Sequence, residues 1–413
     1  MISVHEAFTI LQRHLPPQRV GRVSLGEAHG RVLAREIRAE EPIPRYTNSA
    51  MDGFAVRWAD VKNAGRKTPV LLTLVGESRA GVPFSGTFQG GEAVRISTGA
   101  MLPPGADTVI RMEEARETDG VISILSAPQA GQDVRREGEE FHKGDCLLPR
   151  GVRLDARRIA LPASAGIKDL HVYLPPAVTI LVTGSELAEK GVSGIQDWQI
   201  HDSNSLMLAC SVKEAGGEVA RCRRVEDQLD QTIEAIKAAA REGADLILTS
   251  GGVSVGEHDH VRQAAEAAGF EQLFWRIRQK PGKPLYAARK DQTLLMGLPG
   301  NPVSAFICFS YYIRPIIAHL SGMPMAWPRI VGRTDEEVRN QGGRTQFVRV
   351  SLDRKSEKDF LIRKLEKQGS HMIGSIARAD GYILLQPGEV HAKGSPADVV
   401  LFEQPSYQTN PAF

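Results

Sequence analysis

The sequence predicts a multi-domain protein in which a central α/β domain with a mostly parallel sheet is combined with smaller β domains and a helical N-terminal region. Three observations lead to this fold class. The chain has 413 residues, more than one hydrophobic core usually organises. Strands and helices of similar length alternate over residues 174–326, which is typical of a parallel sheet. On either side of that stretch, short β-like runs are separated by Gly, Pro and Asp.

The N-terminal region carries two helix-start signals. Ser3-Val-His-Glu6 and Ser24-Leu-Gly-Glu27 each place a hydroxyl residue three positions before a glutamate, which is the pattern of a capping box. Apolar residues at helical spacing follow the first box. We expect one helix after Ser3 and a second amphipathic helix that runs from the second box to about Arg38.

The regions that follow divide the chain into domains. Short β-like runs fill residues 46–137, whereas residues 138–173 return to mixed character with a helix expected at 154–165. We therefore expect the β region to be an insertion into the N-terminal domain. The predicted domains are residues 1–45 with 138–173 (N-terminal, discontinuous), 46–137 (inserted β), 174–326 (α/β) and 327–405 (C-terminal β).

The α/β domain contains four apolar runs that we interpret as buried strands. Parallel sheets of this kind bind ligands beyond the carboxyl ends of their strands. The sequence contains neither G-x-G-x-x-G nor G-x-x-x-x-G-K-[ST], which argues against the dinucleotide-binding and P-loop classes. The predicted strands are 178–182, 219–225, 245–249 and 293–296.

Composition excludes several classes of protein. The net charge of +2 gives no support to nucleic-acid binding. The four cysteines are scattered without a C-x-x-C pair, which fits a reducing compartment. We find no signal-peptide core and no apolar run of about 18 residues, so we expect no membrane association and a cytoplasmic location.

The third predicted strand ends in Ser250-Gly251-Gly252, and the acids Glu257 and Asp259 follow. Adjacent glycines let backbone amides approach an anion without interference from side chains. Carboxylates beside such a turn supply the hard oxygen ligands that Mg²⁺ prefers. An ordinary strand-to-helix turn with solvated acids is the alternative interpretation of this motif alone.

Other charged residues are predicted at the same edge of the sheet. Glu186 follows the first strand, and Asp227 follows the second. Several carboxylates on one rim require cations, and a rigid loop with two prolines supplies them. A surface loop of salt bridges is the alternative. The basic residues of this loop and of the segment before it are Arg276, Arg278, Lys280 and Lys283.

A helix start is predicted after the last strand, in Gly297-Leu-Pro-Gly-Asn-Pro-Val-Ser304. Asn301 suits the N-cap and Pro302 the first helical position. A helix N-terminus directed at the rim would attract an anion. Asp202-Ser-Asn-Ser205 forms another N-cap cluster, which we interpret as structural. In the inserted β domain, Asn48–Phe54, Arg95–Ala100 and Arg135–Glu140 place acids, hydroxyls and arginines on loops.

Five of these motifs, in this order, resemble the family of molybdopterin molybdenumtransferases, which includes MoeA and the gephyrin E domain. The resemblance covers almost the whole chain and implies a three-layer, molybdopterin-binding-like α/β domain, an elongated N-terminal region and a C-terminal domain like a small β-barrel. It also implies insertion of molybdenum from molybdate into adenylylated molybdopterin with release of AMP, dependence on Mg²⁺, and a homodimer. Its site would be shared between the α/β domain of one subunit and the β domain of the other. The motifs are Ser49-Ala-Met-Asp-Gly53, Thr183-Gly-Ser-Glu-Leu187, Ser250-Gly-Gly-Val-Ser-Val-Gly-Glu257, Lys280-Pro-Gly-Lys-Pro284 and Gly297-Leu-Pro-Gly-Asn-Pro-Val-Ser304.

The resemblance also implies roles for individual residues. Asp259, Glu186 and Asp52 would be catalytic, and Asp259, Glu186 and Glu257 would hold the metal. Ser185 stands where relatives often have aspartate, Arg276 where they have lysine, and Glu140 where they have aspartate. The predicted substrate-binding residues are Thr98, Gly251, Gly252, Ser254, Asp227, Arg276, Lys280, Lys283, Pro299, Pro302 and Glu140.

Two alternative functions remain open from the sequence. Molybdopterin adenylyltransferases share the Thr-Gly-x-Glu and Ser-Gly-Gly motifs, although the extra domains and the Lys280–Pro284 loop favour metal insertion. That adenylyltransferase is also an expected partner, since it acts in the same pathway. A non-enzymatic scaffold of the gephyrin type is the second alternative.

Overall fold

The computed structural model describes residues 1–188, 194–253, 260–354 and 360–403. The chain divides into two compact units, Met1–Arg22 with His171–Phe413, and Val23–Leu170. Each unit has its own hydrophobic core. The strands Val20–Ser24 and Asp169–Tyr173 lie where the chain passes between the units. The boundaries of the four predicted domains stay a prediction.

A six-stranded sheet organises the first unit. If its strands are numbered along the chain, their spatial order in the sheet is second, first, third, sixth, fifth, fourth. The first four in this order pair in parallel, and the last two pairings are antiparallel. The prediction of a mostly parallel sheet is confirmed. In chain order its strands are Ala177–Thr183, Glu218–Val225, Leu246–Ser250, Glu271–Trp275, Tyr286–Lys290 and Thr293–Leu298.

Helices cover both faces of this sheet. Along the third strand, Leu246 and Leu248 pack into one core, and Ile247 packs into the other. Because successive strand residues point to opposite faces, two cores mean two layers of helices and three layers in all. Asn204–Glu214 and Pro302–Leu320 contribute to the first core, and Leu229–Arg241 and Val261–Ala267 to the second.

The helix at Pro302–Leu320 is long and apolar enough to cross a membrane, but 83% of its most apolar stretch is buried within the protein. It is therefore a core helix. Asn301 occupies the N-cap and Pro302 the first turn, as predicted, although the Asn301 side chain makes no capping hydrogen bond. A π-helical segment at Phe309–Ile313 interrupts the α-helix.

A closed β-barrel of five strands follows in the same unit. It closes because Thr345–Arg354 pairs with both Phe360–Lys364 and Gly381–Leu385. The buried side chains of Val350, Ile362 and Val399 contribute to its interior. The expected small C-terminal barrel is thus confirmed. Its strands are Arg329–Thr334, Thr345–Arg354, Phe360–Lys364, Gly381–Leu385 and Pro396–Leu401, and the shorter elements beside it are Val338–Arg339, Gly374–Ala377 and Val390–His391.

The first N-terminal helix, Val4–Arg13, forms as predicted. The Ser3 hydroxyl accepts a 3.1 Å hydrogen bond from the Glu6 amide, and the Glu6 carboxylate accepts one of 2.6 Å from the Ser3 amide. Phe8 packs against Trp327 with ring centroids 4.7 Å apart. This helix therefore belongs to the core of the α/β unit.

The prediction of a second helix to about Arg38 is wrong. Only a 3₁₀ turn forms, at Leu25–Ala28. Gly30 then adopts a φ of +78°, a left-handed conformation that stops helical structure. The Leu33 amide donates a 2.9 Å hydrogen bond to the Val152 carbonyl, so the chain runs extended. Tertiary pairing outweighs the local helical pattern here.

The second unit is built on another six-stranded sheet, which confirms the expected β character. Phe54, Ile110 and Ile122 lie in its core. Asp155 caps the helix Ala156–Ser164 through a 2.9 Å hydrogen bond from the Arg158 amide. The sheet strands are Gly53–Val56, Val70–Ser78, Glu92–Ile96, Thr108–Arg111, Ala115–Thr118 and Val121–Ile124. The shorter elements are Ile37–Arg38, Asn48–Ser49, Trp58–Val61, Met112–Glu114, Val134–Arg135 and Cys146–Leu148.

Candidate functional site

A cavity of about 390 Å³ lies at the carboxyl ends of the parallel strands in the first unit. This is where parallel sheets bind ligands. Six predicted site residues line it, so the fold brings them together: Glu186, Asp227, Gly251, Gly252, Pro299 and Pro302. Further lining residues are Thr183, Gly184, His201, Asp202, Asn204, Ser250, Pro284 and Asn301.

The Gly251–Gly252 turn forms the floor of this cavity. Both residues have left-handed φ angles, +94° and +68°. A Cβ at Gly251 would lie 2.8 Å from the Thr183 carbonyl oxygen, so only glycine fits. The Gly251 amide donates to the Leu298 carbonyl at 3.1 Å and is held in the sheet. The Gly252 amide makes no hydrogen bond to the described residues, so it is the amide that a bound anion can use.

Two acids at the cavity have different tasks. The Asp227 carboxylate accepts a 2.7 Å hydrogen bond from the Ser185 amide. Arg224 donates to the neighbouring Gly184 carbonyl at 3.3 Å, which also fixes this turn. The Glu186 side chain is exposed and accepts no hydrogen bond within the described ranges. Asp227 therefore positions the turn that presents Glu186, while Glu186 is available to a ligand.

Asn204 is a cavity residue that the sequence analysis did not identify. Its Nδ2 donates to the Ser250 hydroxyl and to the Gly300 carbonyl, each at 2.7 Å. It thereby joins the start of its helix to the end of the third strand and to the loop at Gly300. The Asp202 carboxylate accepts a 3.0 Å hydrogen bond from the Ser205 amide in the first turn of the helix, whereas the N-cap residue, Ser203, makes no side-chain capping bond. The cluster was visible in the sequence, but only the fold shows that Gly300 lies next to Asn204.

The predicted cations lie outside the cavity lining. Lys280 and Lys283 are exposed on their loop, whose Pro284 reaches the cavity. The guanidinium of Arg276 lies 3.9 Å from the ring centroid of Trp275. The Trp275 indole donates a 3.1 Å hydrogen bond to the carbonyl of Val253, the residue after the glycine turn.

Asp52 and Thr98 meet in the second unit, as expected from their neighbouring loops. The Asp52 carboxylate accepts hydrogen bonds from the Thr98 amide at 2.6 Å and from its hydroxyl at 3.0 Å. These bonds stabilise the ionised carboxylate and lower the pKa of Asp52, the amide contributing most. Glu140 is exposed in the same unit, and its amide donates to the Ile43 carbonyl at 3.0 Å.

The predicted metal ligands are Asp259, Glu186 and Glu257. Asp259, Glu257 and Ser254 lie outside the described residues. Within those residues no group of three or more His, Cys, Asp or Glu is arranged to hold a metal ion. Among the acids of the described cavity, Asp202 and Asp227 each accept a backbone hydrogen bond, whereas the Glu186 carboxylate accepts none and has both oxygens available to Mg²⁺. Binding of Mg²⁺ stays a prediction.

Comparison with known proteins adds independent evidence. Three family models match: the MoeA N-terminal region (domain I and II) over residues 2–166, a probable molybdopterin binding domain over 179–319, and the MoeA C-terminal region (domain IV) over 331–402. The molybdopterin molybdenumtransferase of Haemophilus influenzae is 34% identical over 391 residues, which are 94% of this chain and 95% of the relative. The enzyme of that name from Nostoc sp. is 34% identical over 98% of this chain and 94% of its own.

A solved structure agrees with this assignment. A crystal structure of the molybdopterin biosynthesis MoeA protein from Pyrococcus horikoshii has a TM-score of 0.85 and 28% identity. The match covers 98% of this chain and 99% of that one. Sequence and fold therefore agree along nearly the whole chain. The protein belongs to the MoeA family of molybdopterin molybdenumtransferases.

Proposed function

We propose that this protein inserts molybdenum into molybdopterin in the biosynthesis of the molybdenum cofactor. The observation that carries the proposal is the cavity at the strand ends, because it lies in the part of the chain that matches a probable molybdopterin binding domain. Relatives named for this activity match nearly the full chain. The activity makes the protein a transferase, and a cytoplasmic location belongs to the same proposal.

The finer proposal is that the pterin arrives adenylylated and that AMP leaves. The Gly252 amide, which the described residues leave without a hydrogen bond, and the N-terminus of the helix at Pro302 both favour negative charge at the cavity, which suits a diphosphate. Glu186, with Asp259 and Glu257, would hold Mg²⁺. When bound, this ion would neutralise charge that develops on the phosphate oxygens.

Molybdate is a tetrahedral dianion, so cationic side chains suit it. Lys280, Lys283 and Arg276 would bind molybdate or the terminal phosphate. Pro299 and Pro302 would shape the adjoining wall, and Asp227 would keep Glu186 in place. In the second unit, Asp52 would be catalytic and Thr98 would bind the substrate. A homodimer and contact with the adenylyltransferase complete the proposal.

The test supplies purified protein with adenylylated molybdopterin, molybdate and Mg²⁺, and follows AMP release and the molybdenum content of the pterin. We expect both to depend on molybdate, and Glu186→Gln to lower the rate at least tenfold, because an amide neither carries charge nor binds Mg²⁺ as a carboxylate does. Formation of adenylylated pterin from ATP without molybdenum insertion would instead establish an adenylyltransferase.

A further inference from the structure

A buried side chain forms hydrogen bonds with the backbone of the Lys280-Pro-Gly-Lys283 loop. Gln279 is fully buried, with 0% exposure. Its Nε2 donates to the Pro281 carbonyl at 3.0 Å and to the Gly282 carbonyl at 3.3 Å. Since carbonyl oxygens only accept hydrogen bonds, these contacts fix which end of the amide is nitrogen.

The other end of the same amide is bound by Tyr312. The Tyr312 hydroxyl donates a 2.6 Å hydrogen bond to Gln279 Oε1. Tyr312 has 0% exposure and lies in the π-helical segment Phe309–Ile313 of the core helix. Burial raises the pKa of Tyr312 well above its ordinary value, so the hydroxyl stays a donor. The loop carbonyls are thereby connected through Gln279 to the core of the unit.

Packing restricts the loop independently of these hydrogen bonds. Gly282 has a φ of +90°, and a Cβ there would lie 2.5 Å from both Cys308 Sγ and Gln279 Nε2. The Ile277 amide donates to the Lys283 carbonyl at 2.9 Å, which closes the loop. Yet the side chains of Lys280 and Lys283 are exposed and make no hydrogen bond or ion pair with the described residues. The structure thus fixes the loop backbone and leaves both lysine side chains without a partner in the described ranges.

We propose that Gln279 and Tyr312 are positioning residues that hold Lys280 and Lys283 at a set separation for a doubly charged tetrahedral oxyanion. This inference rests on the proposed function, in which that oxyanion is molybdate. The reason is energetic: two exposed lysines on a mobile loop lose conformational freedom when they bind one anion, and a fixed backbone lowers that cost. The buried amide does not touch the anion itself.

The experiment measures the half-saturating concentrations of molybdate and of the pterin substrate for Gln279→Met and Tyr312→Phe. We expect the half-saturating concentration of molybdate to rise roughly tenfold to a hundredfold in Gln279→Met, which is the range that a misplaced binding group produces. The rise should be smaller in Tyr312→Phe. The pterin value should change less than threefold. Tyr382→Phe is the matched control, since it removes another fully buried hydroxyl, one that makes no hydrogen bond to Gln279 or to the Lys280–Lys283 loop in the described part of the chain.

A double-mutant cycle separates positioning from a general structural role. In a Lys280→Ala/Lys283→Ala background, Gln279→Met should raise the molybdate value little further, because its effect acts through the lysines. Equal effects on both substrates, or an undiminished effect without the lysines, would overturn the inference. If Gln279→Met does not fold, Tyr312→Phe against Tyr382→Phe decides the matter. A wild-type protein without molybdate-dependent turnover would refute the proposed function instead.

Discussion

The backbone amide of Ser185 donates its hydrogen bond to the carboxylate of Asp227, which joins the ends of two neighbouring parallel strands. Residue 185 itself has a hydroxyl side chain and supplies no second carboxylate. The structure therefore leaves Glu186 as the acid of its turn, with Asp227 as its support. The position of Glu186 at this edge of the sheet therefore depends on the hydrogen bond between Ser185 and Asp227.

Replacement of Asp227 by alanine should lower kcat/KM for the pterin substrate roughly tenfold or more, because Glu186 loses its fixed turn. The free energy of unfolding should fall by only about 1 kcal/mol, since water can reach the freed amide. Steady-state kinetics and urea unfolding measure the two effects. Glu226→Ala is the control, because the exposed Glu226 carboxylate accepts hydrogen bonds only from Gln228 and Gln231 among the residues that the structure describes. Identical kinetics in both variants would contradict the assignment.

Replacement of Gly251 by alanine should destabilise the protein by about 1–3 kcal/mol beyond the cost of its left-handed φ, because the new Cβ meets the Thr183 backbone. Gly243→Ala isolates the conformational cost, since Gly243 has a φ of +80° with open space around it. Equilibrium unfolding of both variants gives the difference. The same loss of stability in both would show that the turn can relax.

The Asp52–Thr98 pair predicts a pH effect. The pKa of Asp52 is lowered, so its contribution to stability is complete above the unfolded value of about 3.8 and disappears as the pH falls through the folded value. In Thr98→Ala the hydroxyl bond is lost but the stronger amide bond remains, so this pKa should rise without reaching its ordinary value. Carbon-13 NMR titration of the carboxylate measures the shift. Thr118→Ala, an exposed change in the same unit, should leave it unaltered.

Arg349 in the barrel should be replaceable by methionine without loss of stability. Its side chain is fully buried, and only its Nη2 donates hydrogen bonds, long ones of 3.5 and 3.3 Å to the carbonyls of Lys367 and Gly369. Its Nε and Nη1 have no partner among the described residues, and burial lowers its pKa to about 10. Removing such a charge should change the free energy of unfolding by less than about 1 kcal/mol or raise it.

Arg314→Met is the comparison for this variant. Arg314 donates to the carbonyls of Phe402 and Leu401 at 2.5 and 2.9 Å, and its loss should cost about 1–3 kcal/mol. Thermal and urea unfolding of the two variants provide the test. A loss in Arg349→Met as large as in Arg314→Met would mean that the buried guanidinium stabilises the barrel.

The sequence was sufficient where local pattern and tertiary structure agree. The apolar run before Ser250 is a buried strand, and the glycines after it form the turn that the pattern indicated. The prediction of a second helix failed because the Leu33 amide bonds to the Val152 carbonyl, far away in the chain, and no local pattern contains that contact. The cavity role of Asn204 and the loop contacts of Gln279 were missed for the same reason. The Ser250 hydroxyl and Gly300 carbonyl that Asn204 bonds, and the Tyr312 hydroxyl bonded to Gln279, come close only after folding.

The short strand Gln279–Lys280 pairs in parallel with Thr345–Gln346 of the barrel. The first lysine of the loop is therefore hydrogen-bonded into the C-terminal sheet, although it precedes its paired residue Gln346 by more than sixty positions in the chain. Chimeras that exchange the barrel between relatives would shift this lysine unless they preserve the pairing of Gln279–Lys280 with Thr345–Gln346. The barrel therefore helps to position the lysine loop, and removal of the barrel would take away the strand with which this loop pairs.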